Sequence, residues 1–297
     1  MTNRDYVIIT DSTTDMSPSY YKNNNVIVLG MQFTVDGTEY LQLDENCIST
    51  KDFYDAVRKG SMPKTSQVSY DALSKLFEGI AAEGKDIFYL CFSSALSGSY
   101  QTCLLAAKDT MEKHHDMKIN IVDSLSACTG EGFILYKCVE KRDGGASLEQ
   151  ITKFAEEFRG KMVHLFTVDD LNHLHRGGRI SKLSAVFGGM LGIKPILRFN
   201  ELGQMVVYAK ARGKKTALDM MAKEMEKTYI PEENSEIFIS SGDAQNDAEY
   251  LGKLIMKMMP AVKKITYGDI GPVIGAHSGP STVALFYIAK NRDIVEL

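Results

Sequence analysis

The sequence predicts an α/β protein with two domains: an N-terminal parallel sheet flanked by helices, and a C-terminal α+β domain with a mixed sheet. In the first half, short apolar runs typical of buried strands alternate with segments of helical spacing, which favours a parallel sheet. In the second half, two strand candidates are separated only by a short turn, which indicates antiparallel pairing. We place the domains at residues 1–160 and 161–297.

Buried apolar runs predict the strands of the first domain. The helices between them begin at residues that cap helices well, such as Ser69, and Ser147 has Gln150 three residues later, as in a capping box. Asp36-Gly37 lies between two short β-like runs and predicts a hairpin. The predicted strands are Tyr6–Thr10, Val26–Leu29, Met31–Val35, Thr38–Leu41, Ile87–Cys91 and Lys118–Val122.

The pattern changes after Gly160. Helices are predicted at Lys214–Thr228 and Gln245–Met258, and a final helix from Gly279, while Asn200–Gly203 is a turn between two strands. The strands predicted here are Val163–Thr167, Ile196–Phe199, Met205–Ala209, Glu236–Ser240, Lys264–Tyr267 and Val273–Ala276.

Composition excludes several classes of protein. The net charge of −4 argues against a general nucleic-acid binder. No apolar run approaches the roughly 18–20 residues of a membrane span, so we expect a cytoplasmic protein. The five cysteines are widely spaced without a C-x-x-C pair, which makes disulfides and a zinc site unexpected. His173 and His175 are two residues apart and make a poor helical metal pair, so we predict no metal and no cofactor.

A serine-rich turn follows the strand Ile87–Cys91 and precedes a segment of helical spacing. A single serine would be explained as a helix N-cap. Four serines around one glycine are more typical of a seat for a carboxylate or phosphate, because the first N–H groups of a helix are free and the helix dipole favours negative charge there. The serines are Ser93, Ser94, Ser97 and Ser99, and the glycine is Gly98.

A second polar segment, Leu171–Ser181, contains Arg176-Gly-Gly-Arg179. Glycines there permit unusual backbone angles, and Ser181 is predicted to be an N-cap. The alternative is a plain helix C-terminus, where glycine caps and arginine are both favoured. Residues 176–215 carry nine Lys or Arg against one acid, Glu201, so this stretch is either a solvated face or a surface for an anionic partner.

The third polar segment, Gly271–Thr282, places His277 at the end of a predicted strand, beside a glycine turn. Ser97 and His277 could form a nucleophile and its base, which is the basis of an alternative function as a small-molecule hydrolase or transferase. The chain lacks the P-loop, dinucleotide-binding, zinc-protease and nucleophile-elbow motifs. These absences disfavour the enzyme interpretation.

Taken together, the motifs resemble those of the DegV proteins, a bacterial family of fatty-acid-binding proteins. Each motif alone is weak, but they follow one another in the family's order across nearly the whole chain. They are Asp11-Ser-Thr-Thr-Asp15, Lys64-Thr-Ser-Gln67, Ser94-Ala-Leu-Ser-Gly-Ser-Tyr-Gln101, Asp123-Ser124, Arg176-Gly-Gly-Arg-Ile-Ser181, Lys194-Pro-Ile196 and Gly275-Ala-His-Ser-Gly-Pro280.

The resemblance implies two α/β domains that clasp a long-chain fatty acid in an apolar tunnel between them. It also implies a partner, a separate ATP-dependent fatty acid kinase, which phosphorylates the bound carboxylate to an acyl phosphate for phospholipid synthesis. The protein would then be a lipid carrier without catalytic residues. The resemblance leaves room for peripheral membrane contact during ligand exchange.

Residue by residue, the resemblance places the carboxylate-binding Thr at Thr65 and the carboxylate-binding Ser at Ser97, with His277 near the carboxylate. We include their neighbours Ser66 and Gly98 in the same set. The arginine of the phosphorylation step falls on Arg176, with Arg179 as the alternative. A third hypothesis, a nucleic-acid-associated regulator that uses the basic stretch 176–215, is disfavoured by the negative net charge.

Overall fold

The computed structural model describes residues 5–180 and 192–293, so the N-cap predicted at Ser181 lies outside the described residues. Four parallel strands form the first sheet in the order β2-β1-β6-β7, which confirms the predicted parallel sheet. The strands are β1 (Tyr6–Asp11), β2 (Val26–Leu29), β6 (Asp86–Cys91) and β7 (Ile119–Asp123). The helices are α1 (Pro18–Asn23), α2 (Thr50–Arg58), α3 (Tyr70–Ala82), α4 (Ser99–Lys113), α5 (Cys128–Asp143) and α6 (Leu148–Arg159), and a 3-10 turn covers Ser12–Thr14.

Both faces of this sheet are buried, as a parallel sheet requires. Alternate side chains of the central strand β6 point to different cores: Phe88 and Leu90 belong to one apolar cluster, Ile87 and Tyr89 to another. The continuous apolar run in the sequence is therefore explained by burial on both sides.

A small antiparallel sheet lies beside the first one, in the order β4-β3-β5. Asp36 and Gly37 join its hairpin with φ of 49° and 84°, the left-handed conformation that two-residue hairpin loops prefer. Thr65 pairs with Phe33 across this sheet. The strands are β3 (Gln32–Val35), β4 (Thr38–Leu41) and β5 (Lys64–Thr65).

The second large sheet has six strands in the order β10-β9-β8-β13-β11-β12. Only the β11–β12 pair is parallel, so the predicted mixed sheet is confirmed. Its strands are β8 (Met162–Thr167), β9 (Ile193–Phe199), β10 (Met205–Arg212), β11 (Glu236–Ser241), β12 (Lys264–Asp269) and β13 (Val283–Ile288). The helices are α7 (Asn172–Arg176), α8 (Lys214–Thr228), α9 (Gln245–Met258) and α10 (Pro272–Ser278), with a 3-10 turn at Pro231–Glu233.

Two elements near the C-terminus were predicted wrongly. The segment predicted as strand Val273–Ala276 is the helix α10, with Pro272 in its first turn, where proline is favoured. The helix predicted from Gly279 is replaced by the strand β13, whose six residues are all buried. Short apolar runs do not distinguish a buried strand from a helix by periodicity alone.

Helix α5 connects the two large sheets. The ring of Phe133 stacks on Phe238 of β11 with centroids 4.5 Å apart, and one apolar cluster contains side chains from both sheets. The boundary between residues 160 and 161 remains a prediction.

Candidate functional site

A cavity of about 150 Å³ lies beside the serine-rich turn, and we call it the inner cavity. It contains most of the residues that the sequence indicated, from four separate parts of the chain: Thr65, Ser66, Ser97, Gly98, Arg179 and His277. Arg176 is not among its lining residues. The other lining residues are mainly apolar: Met31, Gln67, Phe92, Leu96, Leu174, Met205, Val273, Ile274 and Ser278.

Thr65 and His277 form one wall of the inner cavity. Thr65 Oγ1 and His277 Nε2 are 2.8 Å apart and hydrogen-bonded, although they are 212 residues apart in sequence. The small sheet positions Thr65, and helix α10 positions His277. That helix packs closely against α2: a Cβ on Gly275 would lie 2.6 Å from Tyr54 Oη, so a residue without a side chain is needed there.

Burial and the nearby charge of Arg179 lower the pKa of His277 to about 4. The imidazole is therefore neutral at physiological pH. Its Nδ1 atom is buried and makes no hydrogen bond with any described residue. No acidic side chain among the described residues hydrogen-bonds to this ring, whereas the general base of a hydrolytic triad needs a carboxylate that orients it.

The depressed pKa of His277 predicts a pH-dependent stability. Below pH ~6.5 the unfolded chain protonates this histidine while the native state keeps it neutral to about pH 4, so its contribution favours unfolding as the pH falls through that window. At pH 5 this linkage is worth about 2 kcal/mol. Urea unfolding measures the free energy of unfolding of the ligand-free protein and of His277→Gln. Relative to that of the variant, the free energy of unfolding of the unaltered protein should fall by about that amount between pH 7 and pH 5. Parallel pH profiles would contradict a buried neutral His277.

Ser97 also lines the inner cavity and lies in the turn between β6 and α4. The Val68 N–H donates to Ser99 Oγ at 3.1 Å, and Ser99 Oγ is 2.9 Å from Ser97 Oγ. Because Ser99 accepts from Val68, its hydroxyl can donate to Ser97, and the Ser97 hydroxyl proton is then free to point into the cavity. The same contacts tie the serine-rich turn to the segment after Thr65.

Two buried carboxylates hold this turn in place by accepting its backbone N–H groups. Asp11 Oδ2 accepts the Phe92 N–H at 3.1 Å, and Asp123 Oδ1 accepts the Ser94 N–H at 3.1 Å. Asp11 is completely buried, and burial raises the pKa of its carboxyl group. The aspartates at the ends of β1 and β7 therefore position the turn and do not line the inner cavity.

Arg179 brings a positive charge to the inner cavity. Its Nε donates to the Leu96 carbonyl at 3.0 Å and its Nη1 to the Gly177 carbonyl. The side chain is half-buried, which lowers the pKa of the guanidinium. It makes no ion pair with any acidic residue in the described part of the chain.

A glycine is required at position 177 because a larger residue would clash with a neighbouring side chain, and not because the backbone there needs unusual angles. Its φ is an ordinary −70°, but a Cβ built on it would lie 2.1 Å from His277 Nδ1. Of the two glycines between the arginines, only Gly178 has a positive φ, of 74°. The sequence interpretation of both glycines as sites of unusual backbone angles is thus wrong for Gly177.

A more open cavity of about 420 Å³ adjoins the inner one, and we call it the outer cavity. The two share Thr65, Arg179 and His277. Arg176 lines the outer cavity, where its Nη2 donates to His173 Nδ1 at 3.1 Å. The two arginines of the Arg-Gly-Gly-Arg segment therefore have different surroundings.

Known proteins resemble this chain in both sequence and fold. Residues 5–290 match the family model described as "Uncharacterised protein, DegV family". A DegV domain-containing protein from Clostridium perfringens is 40% identical over 288 residues, which are 97% of this chain and 99% of that protein. The chain belongs to the DegV family.

Solved structures of DegV proteins have the same fold. A fatty-acid-binding DegV family protein from Streptococcus agalactiae aligns with a TM-score of 0.84 at 28% identity, covering 97% of this chain and 100% of that one. A DegV family protein from Thermus thermophilus, which also binds fatty acid, aligns with a TM-score of 0.85 at 26% identity. The alignment covers 96% of this chain and 99% of that one.

Within residues 5–180 and 192–293, no group of three His, Cys, Asp or Glu side chains is arranged to hold a metal ion. In the same part of the chain, no helix has the length and apolar character of a membrane span.

Sequence reasoning missed several residues of the inner cavity. Met31, Leu174 and Met205 belong to it, but each lies in an apolar pattern that also fits a core residue. Gln67 lies within a motif that the sequence singled out, and its Oε1 would be 2.2 Å from a Cβ on Gly98. A glycine paired with the polar Lys64–Gln67 segment would be the signal for this contact. The sequence does not show which glycine pairs with that segment, so the contact is visible only in the fold.

Proposed function

We propose that this DegV protein binds a long-chain fatty acid with its carboxylate in the inner cavity. The observation that carries the proposal is that the hydroxyl groups of Thr65 and Ser97 and the guanidinium of Arg179 line one cavity whose remaining lining is mainly apolar. A buried carboxylate needs such donors, because an unpaired charge removed from water is very costly. The fatty-acid binding of the relatives from Thermus thermophilus and Streptococcus agalactiae supports the same ligand class.

The hydrogen bonds in the inner cavity suit a carboxylate. If the neutral His277 carries its proton on Nε2, it donates to Thr65 Oγ1, and the Thr65 hydroxyl is free to donate to the ligand. Ser97 donates a second hydrogen bond to the carboxylate, supported by Ser99. Ser66 and Gly98 complete the lining near the head group, and Arg179 supplies the counter-charge.

The acyl chain is proposed to extend along a tunnel between residues 1–160 and 161–297. The inner cavity of about 150 Å³ matches a benzene-sized group, so it holds the carboxylate and the first methylenes. Burial contributes roughly 0.8 kcal/mol per CH₂, on the order of 10 kcal/mol for a 16-carbon chain before ordering costs.

We further propose that the protein presents this carboxylate to a separate ATP-dependent fatty acid kinase in the cytoplasm. A carboxylate oxygen attacks the γ-phosphorus of the kinase's ATP, the bond to the bridging oxygen breaks, and ADP leaves. The protein then carries the acyl phosphate for phospholipid synthesis, and peripheral membrane contact serves ligand exchange. The kinase supplies the nucleotide site, in keeping with the lack of nucleotide-binding motifs in this chain.

Native mass spectrometry of the purified protein, followed by denaturation, tests the binding. We expect a stoichiometric mass of one long-chain fatty acid that is lost on denaturation. A protein that stays empty after incubation with fatty acids would refute the proposal. A covalent acyl adduct on Ser97 would instead favour the hydrolase or transferase alternative with Ser97 and His277.

Thr65→Val and Ser97→Ala should each weaken palmitate binding by roughly tenfold or more, because each removes one hydrogen bond to a charged group. Isothermal titration calorimetry measures the change. Thr38→Val is the matched control, since Thr38 is an exposed threonine in the same small sheet. Equal palmitate affinity in Thr65→Val and Thr38→Val would mean that Thr65 does not bind the carboxylate.

A further inference from the structure

The outer cavity has an unusual charge. It is lined by three side chains that carry a full positive charge, Lys64, Arg176 and Arg179, and by no acidic residue. None of the three makes an ion pair with an acidic residue in the described part of the chain. Lys64 and Arg176 are exposed, whereas Arg179 reaches from this cavity into the inner one.

Three other cations of the basic stretch form ion pairs with acidic residues. Lys194 and Lys214 both pair with Asp169, at 3.0 and 3.2 Å. Arg198 pairs with Asp293. The three cations of the outer cavity have no such partner among the described residues, and they lie next to the proposed carboxylate position.

We propose that the outer cavity is a phosphate subsite and that Lys64 is one of its binding residues. The inference rests on the proposed function and adds a separate place for the phosphoryl group. The two cavities share the hydrogen-bonded pair Thr65 and His277. A phosphoryl group attached to a carboxylate in the inner cavity would extend past this pair into the outer one.

The chemistry of the lining fits a phosphate dianion. Arginine offers paired N–H donors to phosphate oxygens, and lysine adds a mobile point charge. Lys64 directly precedes Thr65 in β5, so the same strand supplies a donor to the carboxylate and a cation to the phosphoryl group. Lys64 begins the motif Lys64–Gln67, but unlike the two arginines it was assigned no role from the sequence.

Affinity measurements with two ligands test the subsite. Palmitate and chemically prepared palmitoyl phosphate are titrated into the fatty-acid-free protein and into Lys64→Gln, Lys64→Arg and Lys75→Gln. Lys75 is the matched control, because it is an exposed lysine on α3 that lines neither cavity. The measured quantity is the Kd for palmitoyl phosphate divided by the Kd for palmitate.

We expect this ratio to rise about tenfold in Lys64→Gln, to return most of the way in Lys64→Arg, and to stay unchanged in Lys75→Gln. An unchanged ratio in Lys64→Gln, or the same rise in Lys75→Gln, would overturn the subsite. Failure of the unaltered protein to bind palmitate would refute the proposed function instead, so the two failures are distinguishable.

Discussion

Arg179→Met should weaken palmitate binding by about 2–3 kcal/mol, on the order of 100-fold in Kd. Arg179 is the only Lys or Arg that lines the described inner cavity, and it has no acidic partner there to compete with a ligand carboxylate. Without it, the carboxylate keeps its hydroxyl donors but loses its counter-charge in a site that is partly shielded from water. Calorimetric titration with palmitate measures the loss.

Arg176→Met is the matched control for this prediction. It removes an equal charge three residues away, from the outer cavity alone, and should leave palmitate affinity within about threefold of the unaltered protein. The pKa of His277 provides a second measurement, since Arg179 helps to lower it. It should rise in Arg179→Met and not in Arg176→Met, as measured by NMR titration. A larger loss of affinity in Arg176→Met would reverse the two roles.

Gly177→Ala is expected to destabilise the protein by about 1–3 kcal/mol and to weaken fatty-acid binding together with it. The backbone at Gly177 suits alanine, with φ −70° and ψ −9°. The cost comes instead from the new Cβ, which would lie 2.1 Å from His277 Nδ1. His277 must move, and its hydrogen bond to Thr65 must lengthen or break.

Gly160→Ala isolates that steric effect. Gly160 also ends a helix, with φ −69° and ψ −15°, but the nearest atom to a Cβ there is 3.4 Å away. Urea unfolding and palmitate titration of both variants should show a small effect for Gly160→Ala and a large one for Gly177→Ala. Equal effects would mean that the contact with His277 is unimportant.

Local patterns in the sequence were sufficient where structure depends on near neighbours. The capping box of Ser147 and Gln150 is present as predicted, with both hydrogen bonds formed. The Asp36-Gly37 hairpin forms for the same reason, because its turn needs two residues that tolerate positive φ. The strands of the parallel sheet were readable because burial on both faces demands continuous apolar runs.

The region around His277 shows where such patterns fail. Val273–Ala276 and Val283–Ile288 are both short and apolar, and only their partners decide that the first becomes a helix against α2 and the second a strand between β8 and β11. The polar motifs were found in the sequence. Which of their residues line the cavity and which position the turn was not. Asp11 and Asp123 accept backbone N–H groups of the turn, whereas Ser97 lines the inner cavity.

The sequence by itself determined the two large sheets, the polar residues of the candidate site and the family resemblance, because each depends on residue type and order along the chain. The tertiary structure alone decided that Thr65 and His277, 212 residues apart, share a hydrogen bond. It also decided that Arg179 lines the inner cavity while Arg176 lines only the outer one. Such contacts depend on how elements distant in sequence pack together, and no local pattern encodes that packing.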